Sequence, residues 1–337
     1  MINIAMWGKA LKVIPRISKE EWNHLDIISR WLIASRSAVF VMTALSAGIG
    51  GLLAFRNGLF SPGMFLLALT GLVLAHATNN LINDYVDYRK GIDHNNYYRA
   101  QYGPQALEHG LLSPRQFLNY ILVSGLLATA IGLYLVIHSG TPAIMFMLAG
   151  LFFLLFYTWP LKYYGLGEPS VVLVWGPLMI GGTYLVVSGG HWDWSVILIS
   201  LVYALGPTSV LLGKHIDKLK EDKAKGVRTL PVIIGEKSAR YLTISLLILQ
   251  YLLVGMMVIT GKTGAAVLIV LLALPKLFQT IRIFSRPRPS EEPDDIPKGS
   301  WPLYLVSYAF LYNRQFGSLF LLGLILDVIL FRAGIQF

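Results

Sequence analysis

Long apolar runs, each broken by a short polar or charged stretch, dominate the pattern of this chain. A run of about 18 or more apolar residues crosses roughly 30 Å of hydrocarbon as helix. Such runs fall near 31–55, 62–83, 115–137, 141–160, 168–189, 194–213, 239–260, 263–284 and 302–331. The pattern predicts an all-α, polytopic transmembrane bundle of about nine spans. Asn313, Arg314 and Gln315 interrupt the last run and could split it into an interfacial piece and a short span. Residues 1–29 read as a cytoplasmic or interfacial segment, and 30–337 as the transmembrane domain.

Composition supports this reading, since 55% hydrophobic residues over 337 positions exceed what a soluble core needs. Orientation follows from lysine and arginine placement. With a cytoplasmic N-terminus, the leader carries Lys9, Lys12, Arg16, Lys19 and Arg30, and the second loop carries Arg89, Lys90, Arg99 and Arg115. Lys162 falls in the fourth loop, a dense group from Lys214 to Arg240 in the sixth, and Arg282, Arg286, Arg288 and Lys298 in the eighth. Most of the 28 basic residues thus share the cytoplasmic side. The net charge of +10 then reflects topology and anionic substrates, and no nucleic-acid partner is expected. The absence of cysteine excludes disulfides, thiolate metal sites and a thiol nucleophile.

The leader is not expected to be a cleaved signal, because Lys9 to Asp26 is charged throughout and the first apolar run is too long. Ser18 and Glu21 fit a capping box. Trp7 and Trp22 suit an interfacial helix before the first span.

Two acidic stretches, Asn79 to Asp87 and Asp217 to Asp222, stand where apolar runs end and charged loops begin. Carboxylates at the mouth of a membrane bundle are costly to desolvate and usually hold a cation or a substrate. Helical spacing aligns Asn79, Asn83 and Asp87, and likewise Asn80, Asp84 and Asp87. Hard cations such as Mg2+ take oxygen ligands and share them with phosphate, so this face suits a Mg-diphosphate. Simple helix capping would not explain three asparagines inside an apolar run. Gly91 ends the helix and Asp93 follows in the loop. In the second stretch Asp217 and Glu221 are four apart, Asp222 adjoins them, and Lys214 and Lys218 lie near a carboxylate. An ion-paired helical hairpin explains that stretch equally well. A solvated linker is the reading for the charged, proline-rich 286–295.

The stretch Asn83-Asp84-Tyr85-Val86-Asp87-Tyr88-Arg89-Lys90-Gly91-Ile92-Asp93 resembles the first aspartate motif of the UbiA superfamily, most closely its 1,4-dihydroxy-2-naphthoate branch. Gly103-Pro104, Gly110 to Pro114, Leu161 to Glu168, Gly176-Pro177, and Asp222 with Gly226, Thr229-Leu230 and Gly235 extend the resemblance. It departs where Lys218 occupies the earlier of two positions that relatives fill with aspartates four apart, with Asp217 displaced by one residue. It also departs after Asp93, where the second acid many relatives have nearby is missing.

The resemblance implies helices around a central cavity whose cytoplasmic loops cap a Mg-diphosphate, and transfer of a prenyl chain to a lipophilic aromatic acceptor in the membrane. It implies that Asn83, Asp84 and Asp87 hold one Mg2+, with Asp93 in a supporting loop, and that Asp217, Glu221 and Asp222 hold the other. Lys162 matches the family's lysine near the diphosphate, and Arg99 and Arg228 are further phosphate partners. Asn80 belongs to the same polar face. His76, one turn above Asn80, would face the cavity and meet the acceptor, or would be a buried histidine bonded to a neighbouring helix. Tyr157, Tyr163 and Trp175 could shield an allylic cation. The competing class is an ion-coupled carrier with acidic gates in two half-repeats. A carrier places its charges near the midplane, whereas both stretches here sit at one face, which favours the enzyme.

Overall fold

A computed structural model describes residues 2–92, 94, 104–293 and 301–334. Three short helices come first: α1 (Ile4–Lys12), α2 (Lys19–Asn23) and α3 (Ile27–Ala34). Then come α4 (Ser37–Arg56), α5 (Pro62–Arg89), α6 (Pro114–Ser139), α7 (Thr141–Phe156), α8 (Gly167–Val187) and α9 (Ser195–Asp217). The short α10 (Leu219–Ala224) and α11 (Leu230–Ile234) follow. The chain closes with α12 (Glu236–Ile259), α13 (Ala265–Phe284) and α14 (Tyr304–Arg332). Among the described residues eight helices are long and apolar enough to cross a membrane. The fourth expected span, α7, has 16 residues, about 24 Å of helix.

Two boundaries differ from the sequence reading. The first span begins at Ser37, because Arg36 adopts a left-handed conformation (φ 59°) that ends α3 and redirects the chain. The last span is not split: α14 runs unbroken for 29 residues. Asn313 is buried inside the bundle while Arg314 is exposed, so the polar trio does not stop the helix.

Local signals account for the N-terminal layer. Ser18 and Glu21 form the expected capping box on α2, and the Asp26 carboxylate accepts the Ile28 and Ser29 amides at the start of α3. Trp7 Nε1 donates to Asp26 Oδ1 at 3.1 Å, which ties α1 to α3. Trp22, Leu32 and Phe40 share an apolar cluster with Leu81 of α5 and Phe117 of α6, so this layer sits on one end of the bundle.

The main core gathers Tyr184, Tyr203, Phe316 and Phe320 between α4, α8, α9 and α14. Leu122 and Leu126 of α6 and Met145 and Leu148 of α7 are exposed and present an outer surface suited to lipid. Because lipid tails are as apolar as leucine, close packing and interhelical hydrogen bonds must hold such helices together. Gln250 Nε2 of α12 donates to the Val202 carbonyl of α9 at 2.8 Å, and Tyr312 OH of α14 donates to Gln250 Oε1 at 3.1 Å. Gly50 lets α4 approach α8, where Pro177 sits inside a π-helical segment from Val174 to Gly181. A Cβ at Gly50 would lie 2.5 Å from the Ile180 carbonyl oxygen.

Gly50→Val is therefore expected to destabilise the fold by about 1–3 kcal/mol, as overpacking does. Gly255→Ala on α12, where a Cβ meets nothing within 4 Å, serves as the neutral control. Thermal unfolding in detergent would measure both.

Candidate active site

The last three turns of α5 carry the first acidic stretch, and its polar side chains meet two segments, residues 35–36 and residues 154–162. Asn79 Nδ2 donates to the Leu154 carbonyl of α7 at 3.2 Å, and Asn80 Nδ2 to the Ser35 carbonyl at 2.9 Å. Asn83 Nδ2 donates to Thr158 Oγ1 at 3.3 Å. Arg36, aimed by its left-handed backbone, bridges to Asp84 Oδ1 at 2.5 Å and also donates to the Asn80 carbonyl. Lys162 Nζ lies 3.0 Å from both oxygens of Asp87, with both residues buried. Lys90 lies over the rings of Trp159 and Tyr163, 4.9 and 4.4 Å from their centroids. Gly91, at φ 65°, ends α5 as expected.

The second stretch reaches the same end of the molecule, but its acids diverge. Asp217 is turned to α14: Oδ1 accepts the Leu305 amide and Oδ2 the Val306 amide, both at 3.0 Å, and Arg288 Nε lies 3.2 Å from Oδ1. With both oxygens committed, Asp217 caps a helix and pins the last loop, where the sequence reading had it hold metal. Asp222 pairs with Lys218 at 3.5 Å, both buried. Glu221 Oε2 is buried without a hydrogen-bond partner. Lys225 Nζ grips the carbonyls of Gly91 at 3.1 Å, His94 at 2.8 Å and Ile92, joining the loops of the two stretches. Arg228 is exposed, and its backbone pairs with Tyr164 in a single β-bridge. Asp93 and Arg99 lie outside the described residues.

A cavity of about 740 Å³ opens beside this end. On α5 it is lined by Ala68, Gly71, Leu72, Ala75, His76, Asn79, Asn80 and Asn83, one helical stripe about 22 Å long at 1.5 Å per residue. The deep walls are apolar, with Leu135, Phe146 and Met179 among them. At the polar end the lining includes Lys12, Arg36, Lys162 and Lys214, and no carboxylate lines the cavity among the described residues. Asp84 and Asp87 stand behind Arg36 and Lys162. His76 lines the cavity, its Nδ1 2.8 Å from Thr43 Oγ1 and its ring edge-on to Trp175. It is thus both cavity-facing and bonded to a neighbouring helix.

The sequence reading missed three participants. Arg36 was hidden inside the first span, and its signal was an arginine breaking an apolar run. His215 on α9 and Glu168 at the start of α8 form a buried pair, Nδ1 to Oε1 2.6 Å, with His215 lining the cavity. Glu168 closed the Leu161–Glu168 block of the resemblance and opened an apolar run without being given a role, and a histidine closing another run was the only trace of His215.

Residues 41–294 match the UbiA prenyltransferase family. The chain belongs to that family. As a UbiA-family protein it is a membrane prenyltransferase, which settles the choice against a carrier. It is 24% identical over 279 residues to UbiA prenyltransferase domain-containing protein 1 of Mus musculus, covering 80% of this chain and 79% of the relative. It is 26% identical over 228 residues to 1,4-dihydroxy-2-naphthoate octaprenyltransferase of Bacillus subtilis (strain 168), covering 66% and 71%. Its fold is similar to that of a digeranylgeranylglyceryl phosphate synthase, with TM-score 0.57, 20% identity and coverage of 89% and 97%. A UbiA homolog from Archaeoglobus fulgidus solved with GPP and Mg2+ gives TM-score 0.55, 14% identity and coverage of 86% and 99%.

Asp217→Asn removes one of the carboxylate's acceptors and is expected to lower stability by about 1–3 kcal/mol, the cost of an orphaned buried donor. Prenyl diphosphate affinity per folded molecule should stay unchanged. Thermal unfolding beside ligand binding on the folded fraction reads both quantities.

Proposed function

We propose that this UbiA-family enzyme transfers an isoprenoid chain from a prenyl diphosphate to a quinone precursor such as 1,4-dihydroxy-2-naphthoate, with Mg2+ as cofactor. The observation that carries the reading is a cavity with cationic residues at one end and an apolar stripe about 22 Å long behind it. The cations suit a diphosphate and the stripe suits a polyprenyl tail.

The residues fit the metal by their chemistry. Asn83, Asp84 and Asp87 offer only hard oxygen donors on one helical face. Among the described residues no three His, Asp or Glu side chains come together as a metal cluster, so amide and phosphate oxygens would complete the coordination. Glu221 and Asp222 stand at the same end as further acids. Bound magnesium would neutralise the charge that develops on the leaving diphosphate.

The chain's own groups do the rest. Arg36 and Lys162, now paired with Asp84 and Asp87, hold the diphosphate oxygens, and Asp84 and Asp87 would then be available to hold Mg2+. The allylic C–O bond breaks with its electron pair passing to the diphosphate, the electron-rich ring of the acceptor attacks the positive carbon left behind, and the ring cation so formed regains aromaticity by losing a proton, or a carboxyl group as CO2, from the ring. Tyr157 and Trp175 line the cavity and can face that carbon with their π clouds. No protein nucleophile is required. Support for the quinone branch comes from the 1,4-dihydroxy-2-naphthoate octaprenyltransferase of Bacillus subtilis, 26% identical. We place the polar end in the cytoplasm, on the excess of lysine and arginine there.

Purified enzyme in lipid, given Mg2+, mixed prenyl diphosphates and a panel of aromatic and glycerol-ether acceptors, is expected to release diphosphate and yield a prenylated naphthoquinol by mass spectrometry. Product on a glycerol ether alone would reject the quinone reading. Asp87→Ala should lower Mg-dependent turnover by about a hundredfold or more, the scale of losing a key electrostatic stabiliser, while the protein stays folded in the membrane. Turnover like wild type would sink the metal assignment.

A further inference from the structure

The Glu168–His215 pair is unused by the chemistry above, and its geometry is specific. His215 and Asp217 are two residues apart on α9, about 200° around the helix. Asp217 faces α14, whereas His215 meets Glu168 on α8 and lines the cavity. A carboxylate only accepts hydrogen bonds, so at 2.6 Å Nδ1 of His215 is the donor to Glu168 Oε1. With Nδ1 committed to Glu168, Nε2 is the ring's remaining hydrogen-bonding atom. Glu168 is 2% exposed and His215 3%. Burying such a pair is costly, and packing alone does not require it. Ser170, the nearest hydroxyl on α8, already donates to the Leu166 carbonyl at 2.6 Å.

The surrounding wall shows what Nε2 would meet. Pro207, Val210 and Leu211 of α9 and Val306 and Phe310 of α14 line the cavity beside His215. Arg36 and Lys162, which serve the diphosphate, line the same cavity, Lys162 from the short segment that leads into α8. A largely apolar wall whose polar groups are Lys214, Ser307 and the oriented ring of His215 suits a flat aromatic ring bearing a hydroxyl group. Tyr157 is close enough to Glu168, Asp87 and Arg36 to feel the charge of each, so the pair lies near the reacting end.

We propose that His215, positioned by Glu168, forms a hydrogen bond with a hydroxyl of the aromatic co-substrate and so selects hydroxylated rings and orients them for prenylation. The inference rests on the prenyltransferase reading and adds the contact that chooses the co-substrate. His215 touches the ring hydroxyl, and Glu168 acts only through His215.

The test compares 1,4-dihydroxy-2-naphthoate with its monomethyl ethers on wild type, His215→Ala and Glu168→Gln, measuring KM for each aromatic, KM for geranyl diphosphate, and binding of geranyl diphosphate without aromatic. Wild type should prefer the free hydroxyl over one methyl ether by about tenfold, the worth of one good hydrogen bond. His215→Ala should lose that preference, and Glu168→Gln should lose part of it. Geranyl diphosphate binding and KM should be unchanged in both variants. A preference that survives intact in His215→Ala would overturn the proposal, as would equal weakening of both substrates. Failure of wild type to bind geranyl diphosphate would instead overturn the prenyltransferase reading beneath it. If His215→Ala does not fold, His215→Gln, which keeps an acceptor on a similar reach, must retain a reduced preference for the hydroxyl or the proposal falls.

Discussion

Two carboxylates near the end of a membrane helix cannot be withdrawn from water alone, because each uncompensated charge costs several kcal/mol in a low-dielectric surround. At the end of α5 that cost is met from two distant segments: Arg36 closes on Asp84 and Lys162 on Asp87. Meeting it fixes much else. Arg36 reaches only because the chain turns left-handed between α3 and α4. Lys162 reaches only from the short 3-10 segment Leu161–Tyr163 between α7 and α8. The turns around the site follow from this demand for counter-charge.

Away from that end the constraint changes character. Neither lipid nor helix offers water to escape from, so the bundle relies on steric fit and a few polar bonds. Small residues at Ala68, Gly71 and Ala75 leave α5 a smooth face toward the cavity, while Gly50 lets the backbones of α4 and α8 approach closely. The same economy of side-chain bulk serves packing on one helix and open volume on another.

The sequence showed this architecture unevenly, and the reasons are physical. Spans were legible because about 30 Å of hydrocarbon imposes a length and a composition. The face Asn83, Asp84 and Asp87 was legible because helical spacing is regular, and Lys162 because it stood alone in a short loop and matched a family motif. Asp217, which meets the amides of Leu305 and Val306, was not legible: an acid at a helix end looks the same in sequence whether it meets a metal or the amides of another helix. Arg36, Glu168 and His215 were given no role because each has its partner 47 or 48 residues away, and no local periodicity records a pairing across helices.

One contact has a consequence for how the molecule is made. The Asp217 carboxylate is satisfied by amides of Leu305 and Val306, and the cavity wall is completed by Ser307 and Phe310 from the same helix. The family match, by contrast, ends at residue 294. A chain emerging from the ribosome therefore carries all its acidic residues at the site long before it has a finished pocket. Until α14 inserts, a buried carboxylate lacks its donors and one side of the chamber stands open to lipid, so a helix made after every acid of the site is the one that closes the vessel.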